Sequence, residues 1–248
     1  MTAAASLADD DLRFTLPDKR LADAAQAFAR QGHVRIEPAF APAVAQALHA
    51  HLASEVEWWC AVNQQDRTWD LGPQALAALS GDKEREFLAM VHAGARHGFQ
   101  FLFDAVRVSD LAEERAARGL LLDRLVSALN HPASLATFAS LVGDPRVALV
   151  DGQATRYLPG HFLTAHDDGN AGKNRIAAWV LSLTPGWRTD WGGLLQFHDA
   201  GGDLAHALMP RFNAIHLFRV PQVHSVSRVA PFAAGPRLTV TGWLGWRE

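Results

Sequence analysis

From Gly143 onward, short apolar runs alternate with glycine- and proline-rich breaks: RVALVDGQATRYLPG, RIAAWVLSLTPG, WGGLLQFHDAGG, NAIHLFRVP, HSVSRVAP and PRLTVTGWLGW. Each run has strand length and each break supplies turn residues. A series of short strands at this spacing predicts an all-β sandwich or barrel over the last hundred or so residues.

The first 145 residues read differently. PDKRLADAAQAFAR (17–30) is rich in Ala and Leu and is stopped by Gly32; HVRI (33–36) reads as a short strand. From Pro42 to Cys60, Val44, Leu48, Leu52, Val56 and Trp59 fall on one helical face. Pro42 suits the first turn of that helix. Helical patterns follow at 73–79, 82–95, 111–129 and 133–142, and the alternating FQFLFDAVRV (99–108) reads as a strand between them. No linker-like stretch or internal repeat interrupts the chain. The expectation is one domain over 1–248, with helical support to about residue 145 and a β core from about 146.

Composition narrows the chemistry. A chain of 248 residues, 49% hydrophobic, suits one sizeable core. A formal charge of −3 lacks the basic surface that an electrostatic grip on nucleic acid requires. The single cysteine, Cys60, closes no internal disulfide and builds no cysteine-ligated cluster. A metal must therefore rest on His, Asp or Glu. MTAAASLADDDLRF is acidic and has no long apolar run, so it does not read as a secretory signal. No run reaches the roughly 18 apolar residues of a membrane span. The expected setting is the reducing cytoplasm, without membrane contact.

Of the 12 histidines, His166 is the one followed two residues later by Asp or Glu, in HFLTAHDDGN. On an extended segment, residues i and i+2 point to one side, so His166 and Asp168 can reach one cation. Such a pair arises by chance in many histidine-rich chains, so the residues downstream and their order matter. A third ligand has to come from a later strand beside the first. His224 in RVPQVHSVSRV is so placed; His216 in NAIHLF is the rival, in a more apolar run where a core histidine is the plainer reading. Two histidines and one carboxylate leave coordination positions open, the pattern of non-haem Fe(II) oxygenases. Arg237 then lies among Leu, Val and Trp in GPRLTVTGW. A guanidinium in such a strand calls for an anion, and its planar fork matches a carboxylate. An internal salt bridge is the alternative. Thr239, two residues on, can add a hydroxyl.

Taken together, RYLPGHFLTAHDDG, RIAAWVLSLTPGWRTDWGGLLQF, MPRFNAIHLFRV, PQVHSVSRV and PRLTVTGW resemble the 2-oxoglutarate- and Fe(II)-dependent oxygenases of the prolyl 4-hydroxylase type. They are most similar to the Tpa1-like ribosomal prolyl hydroxylases and their bacterial single-domain relatives. The resemblance implies an α+β fold: a double-stranded β-helix, a cupin-like jelly roll, with supporting N-terminal helices. It implies Fe(II) on His166, Asp168 and His224, and the distal carboxylate of 2-oxoglutarate on Arg237 with Thr239. Tyr157 matches a pocket-facing tyrosine, Trp243 an aromatic near the pocket mouth, and Gly192 and Gly193 a turn that the fold needs. O2 is the implied co-substrate, with ascorbate in support.

One departure stands out. Relatives often carry a tyrosine on the strand after the His-x-Asp pair, where it helps to hold the distal carboxylate; Ser182 occupies that position here. The implied reaction is hydroxylation of a prolyl residue in a protein or peptide, with release of succinate and CO2. The alternatives are hydroxylation of a free amino acid or other small molecule, and a metal-binding cupin that is not an oxygenase, for which an Arg237 and Thr239 clamp has no use. A carboxylate at Asp168 disfavours halogenation. Arg175, near the start of a strand, is a candidate to meet substrate, with a surface salt bridge as the plainer role.

Overall fold

The computed structural model describes residues 7–65, 67–169 and 174–246. The stretch read for a secretory signal begins in residues 1–6, and HFLTAHDDGN ends at 170; these positions lie outside the described residues.

Among the described residues the N-terminal half contributes seven α-helices: α1 (Asp18–Gln31), α2 (Pro42–Ser54), α3 (Pro73–Ala77), α4 (Asp82–His97), α5 (Ala112–Arg118), α6 (Leu121–Leu129) and α7 (Pro132–Val142). It also contributes four strands: β1 (His33–Ile36), β2 (Trp59–Gln64), β3 (Arg67–Leu71) and β4 (Phe101–Arg107). The C-terminal half is β5 (Leu149–Val150), β6 (Gln153–Tyr157), β7 (Phe162–His166), β8 (Arg175–Ser182), β9 (Leu195–His198), β10 (Leu204–Leu208), β11 (Ala214–Arg219), β12 (His224–Val226) and β13 (Arg237–Gly245).

Three expectations are corrected. The helix that starts at Pro42 ends at Ser54, so Val56 and Trp59 lie beyond it, and Trp59 opens β2. The apolar spacing continues past the end of the helix, but Cys60 and Val62 then face α4 as alternate residues of a strand. The pattern over 111–129 is two helices, because Gly119 takes a left-handed backbone (φ 66°) that closes α5. The first half is also less helical than expected, since β2 and β3 join the sheet, while β4 falls within the strand expected at 99–108.

All strand pairings are antiparallel, in the order β1-β11-β8-β13-β6-β4-β7-β12-β9-β10, with β2 added beside β4, β3 beside β2 and β5 beside β13. β4 pairs with both β6 and β7 and so carries the sheet from one layer into the other. The result is a curled antiparallel half-barrel of the jelly-roll kind with helices packed on its outer face.

Period-two alternation sorts the side chains. On β8, Trp179 and Leu181 point outward; on β11, Ile215 and Leu217; on β13, Leu238, Val240 and Leu244. They meet the apolar face of α6, a stripe of Leu121, Leu122, Leu125 and Leu129, and residues of α1, α2 and α7. Each fully buried Leu or Trp contributes roughly 1.5–3 kcal/mol. Helices and barrel thus share one core. The residues between them in the strands, among them Val180, His216, Phe218, Arg237, Thr239 and Trp243, face the barrel interior.

Candidate metal centre and co-substrate pocket

His166 ends β7 and His224 begins β12, and the two are direct cross-strand partners. Their rings lie 4.2 Å apart, centroid to centroid. Asp168 follows His166 at a left-handed backbone position (φ 60°), which Asp tolerates better than most residues. Its Oδ1 lies 3.4 Å from His166 Nε2 and its Oδ2 3.5 Å from His224 Nε2. One donor atom from each of the three residues falls within 4.8 Å of the other two. His216 is not part of this group.

The protonation pattern suits a cation. A carbonyl oxygen can only accept, so the Nδ1–H of His166 donates to Thr164 (3.0 Å) and that of His224 to Gln222 (2.8 Å). Each Nε2 is left with a lone pair aimed at Asp168, the arrangement by which metal-bound histidines are commonly oriented. Burial, then the neighbouring His166, pushes His224 down to about 4, so its ring is neutral at pH 7. Burial opposes the charge on Asp168, but the neighbouring His166 and His224 and the Trp243 N–H outweigh it and hold the carboxyl below its ordinary range.

Two residues prove to support Asp168. The indole Nε1–H of Trp243 donates to Asp168 Oδ2 (2.9 Å). Arg175 donates to the Asp168 carbonyl (3.1 Å), lies 3.8 Å from its Oδ1, and stacks on Trp243 with its guanidinium carbon 3.4 Å from a ring centroid. The surface salt bridge expected for Arg175 is therefore corrected: its side chain is 14% exposed and its partner is Asp168. Trp243 lines the pocket and at the same time braces the carboxylate.

A cavity of about 510 Å³ opens from the three residues into the barrel. Arg237, 2% exposed, has no acidic partner among the described residues, and its Nε has no hydrogen-bond partner. Its guanidinium carbon sits 5.1 Å from the ring centre of Tyr157, its cross-strand partner on β6. Burial raises the Tyr157 hydroxyl to about 12, so it stays protonated as a donor. Thr239 shares a hydrogen bond of 2.5 Å with Thr155. Gly193 (φ 62°) leaves room for Arg237: a Cβ there would stand 2.9 Å from Arg237 Cδ. Ser182 lies on the pocket-side face, opposite Thr239, and its hydroxyl has no partner.

Two further residues belong to this site. Thr155, the partner of Thr239, follows from alternation on β6 once Tyr157 points inward. Phe99, 48% exposed, lies 5.1 Å from the His166 ring at the pocket mouth; it opens the alternation Phe99, Phe101, Phe103 that faces the cavity.

The donor set of two imidazoles and one carboxylate fits Fe(II) with open positions. A buried guanidinium without a counter-ion, in the same cavity, fits a carboxylate. Residues 152–245 match the family model described as the 2OG-Fe(II) oxygenase superfamily. The matched stretch is similar to that superfamily and carries His166, Asp168, His224 and Arg237. Prolyl 3-hydroxylase OGFOD1 of Mus musculus is 32% identical over 102 residues, which are 38% of this chain and 18% of that protein, so the match spans under a fifth of that curated relative. A prolyl-4-hydroxylase of Pseudomonas putida superposes with a TM-score of 0.52 at 19% identity, covering 92% of this chain and 100% of the other. A prolyl hydroxylase of Trichoplax adhaerens, solved with a peptide fragment of the hypoxia inducible factor oxygen degradation domain, gives 0.56 at 14% identity, over 92% and 90%. At these identities the structural likeness of the chain to both is one of fold. Among the described residues no single helix is long and apolar enough to cross a membrane.

Proposed function

We propose that the protein is an Fe(II)- and 2-oxoglutarate-dependent dioxygenase that hydroxylates a prolyl residue of a protein or peptide substrate in the cytoplasm, with the whole chain acting as one oxygenase domain. The observation that carries the reading is the pairing of two features in one cavity: the convergent His166, Asp168 and His224, and the buried Arg237 without a counter-ion. The core shared by helices and barrel supports a single domain. The prolyl substrate rests on the match to the mouse prolyl 3-hydroxylase.

In this reading His166, Asp168 and His224 bind the metal on one face. Trp243 and Arg175 hold the Asp168 carboxylate in place, so that it does not swing away. Arg237, with the Thr239 and Tyr157 hydroxyls, grips the distal carboxylate of 2-oxoglutarate and sets the direction in which its keto acid end points. Bound iron and 2-oxoglutarate would supply the oxidising power, with succinate and CO2 released and one oxygen atom of O2 delivered to the substrate. Phe99 covers one side of His166 at the mouth, where an incoming side chain has to pass.

The test is to incubate the protein with Fe(II), 2-oxoglutarate, ascorbate and a cell lysate, then to map mass gains of one oxygen atom on peptides and on metabolites. Gains at proline in one protein are expected. Gains confined to a free amino acid or another small molecule would replace the prolyl reading, and no succinate release under any condition would remove the oxygenase reading.

A further inference from the structure

The interior of the barrel beside Arg237 contains more unsatisfied polar groups than a guanidinium clamp needs. Ser182 Oγ, His216 Nε2 and Arg237 Nε are all buried and all without a hydrogen-bond partner. They come from three adjacent strands, β11, β8 and β13. Ser182 stands opposite Thr239 on one side and Ala214 on the other, and His216 is the next inward position on β11 after Ala214, opposite Val180. Ser182, His216, Thr239 and Arg237 therefore share the inner face.

Leaving one such group unsatisfied costs on the order of 1–3 kcal/mol. Gathering three on one face makes sense where a polar ligand answers them together. His216 is 2% exposed, with Val180 and Arg35 as its cross-strand neighbours, and its Nε2 has no hydrogen-bond partner. Burial keeps the ring neutral at pH 7, with the charges of Arg35, Arg237 and His33 acting in the same direction. A neutral imidazole carries one N–H, and with the proton on Nε2 that N–H is free to donate. The carboxylate that Arg237 is placed to bind has two oxygens and about four lone-pair directions. A guanidinium fork fills only some of them.

We infer that His216 is a positioning residue for the co-substrate, donating from Nε2 to the distal carboxylate held by Arg237, on the inner face that both share with Ser182. This deepens the proposed function and rests on its 2-oxoglutarate reading. It assigns to this chain a Ser182 and His216 pair on adjacent strands in place of a single long side chain reaching from the Ser182 position.

The experiment is anaerobic calorimetry of the Mn(II)-loaded protein with two ligands. One is 2-oxoglutarate. The other is 2-oxovalerate, which keeps the keto acid and chain length but ends in a methyl group. In H216F, 2-oxoglutarate should bind about tenfold more weakly, the loss expected for one hydrogen bond to a charged group, and 2-oxovalerate should bind as to wild type. H216Q retains an N–H donor and should recover part of the affinity; it also carries the test if H216F does not fold. A purely structural role would weaken both ligands alike, and that result overturns the inference. So does unchanged 2-oxoglutarate binding in H216F while R237M loses it. Unchanged binding in R237M as well would sink the 2-oxoglutarate reading itself.

Discussion

Replacing Arg237 with methionine should move two properties in opposite directions. The guanidinium is 2% exposed and has no acidic partner among the described residues; its nearest compensation is the face of Tyr157. A buried charge in that condition destabilises the protein that carries it, and an apolar side chain of similar volume is often neutral or stabilising by about 1–4 kcal/mol. Taking the low end, about 1 kcal/mol, the melting temperature of ligand-free Arg237→Met should rise by roughly 2–4 °C for a chain of this size. Binding should go the other way. A carboxylate left facing the thioether loses its charged partner, at a cost of about 2–5 kcal/mol, or roughly 30-fold or more in Kd. In the wild type, 2-oxoglutarate at about 100 times its Kd adds about 2.7 kcal/mol of stability; in the variant that increment should fall to about 0.9 kcal/mol or less at the same concentration. Thermal melts of Mn(II)-loaded protein with and without 2-oxoglutarate read both effects. A variant that melts lower without ligand yet retains the full ligand-induced shift would refute the reasoning, because Arg237 would then be a structural residue whose partner is not the co-substrate.

Other outcomes rest on the same geometry. Alanine at His166, Asp168 or His224 should each abolish tight Mn(II) or Fe(II) binding, whereas His216→Ala should retain it; the reverse pattern in a metal titration would reassign the third ligand. Trp243→Phe keeps an aromatic ring beside Arg175 but removes the N–H donated to Asp168, so metal affinity should fall by about 10- to 100-fold, and equal affinity in a chelator competition would show that Asp168 needs no such brace. Gly193→Ala puts a side chain on a left-handed backbone and a methyl 2.9 Å from Arg237 Cδ; a loss of about 1 kcal/mol in stability and weaker 2-oxoglutarate binding are expected together, and a stable variant with normal binding would count against Gly193 as the seat of Arg237. His216 is pushed down to about 3 by burial and by Arg35, Arg237 and His33, from an ordinary value of 6.5. The unfolded ring therefore takes a proton near pH 6.5 and the folded ring does not, so stability is full above that pH and falls by up to about 1.4 kcal/mol per pH unit below it. Denaturant titrations between pH 7 and 5 should show a shallower decline in His216→Phe, and parallel slopes would mean that the ring is solvated in the folded protein.

The metal residues and Arg237 are readable from the sequence because their signals are local. The His-x-Asp pair is visible as a spacing, although β7 ends at His166 and Asp168 reaches the same side from a left-handed position rather than an extended one; an arginine in an apolar strand announces its own electrostatic demand. The inward row of Arg237, Thr239, Thr241 and Trp243 follows from alternation alone. The contact that joins Trp243 to Asp168 does not, since it depends on how β13 lies against β8 and on the left-handed turn at Asp168. The same holds for Arg175, whose exposure is decided by the indole stacked on it. The hairpin of β2 and β3 is hidden for another reason. Val56 and Trp59 prolong the helical spacing of α2 beyond Ser54, and the strand beyond it shows its alternation only over Cys60 and Val62.

The left-handed backbone at Asp168 bears on how this protein can change over time. Most residues there would strain the turn, but asparagine and glycine settle into it as comfortably as aspartate does, glycine more so. Those same two replacements take away the anionic ligand. The substitutions that the main chain accepts most readily at this point are thus the ones that would silence the proposed metal centre, while neither β7 nor the barrel has reason to unfold. Catalysis and foldedness can part company at one codon. A lineage that no longer needed the reaction would keep the scaffold, its Arg237 pocket included, as a ready-made receptor for small carboxylates.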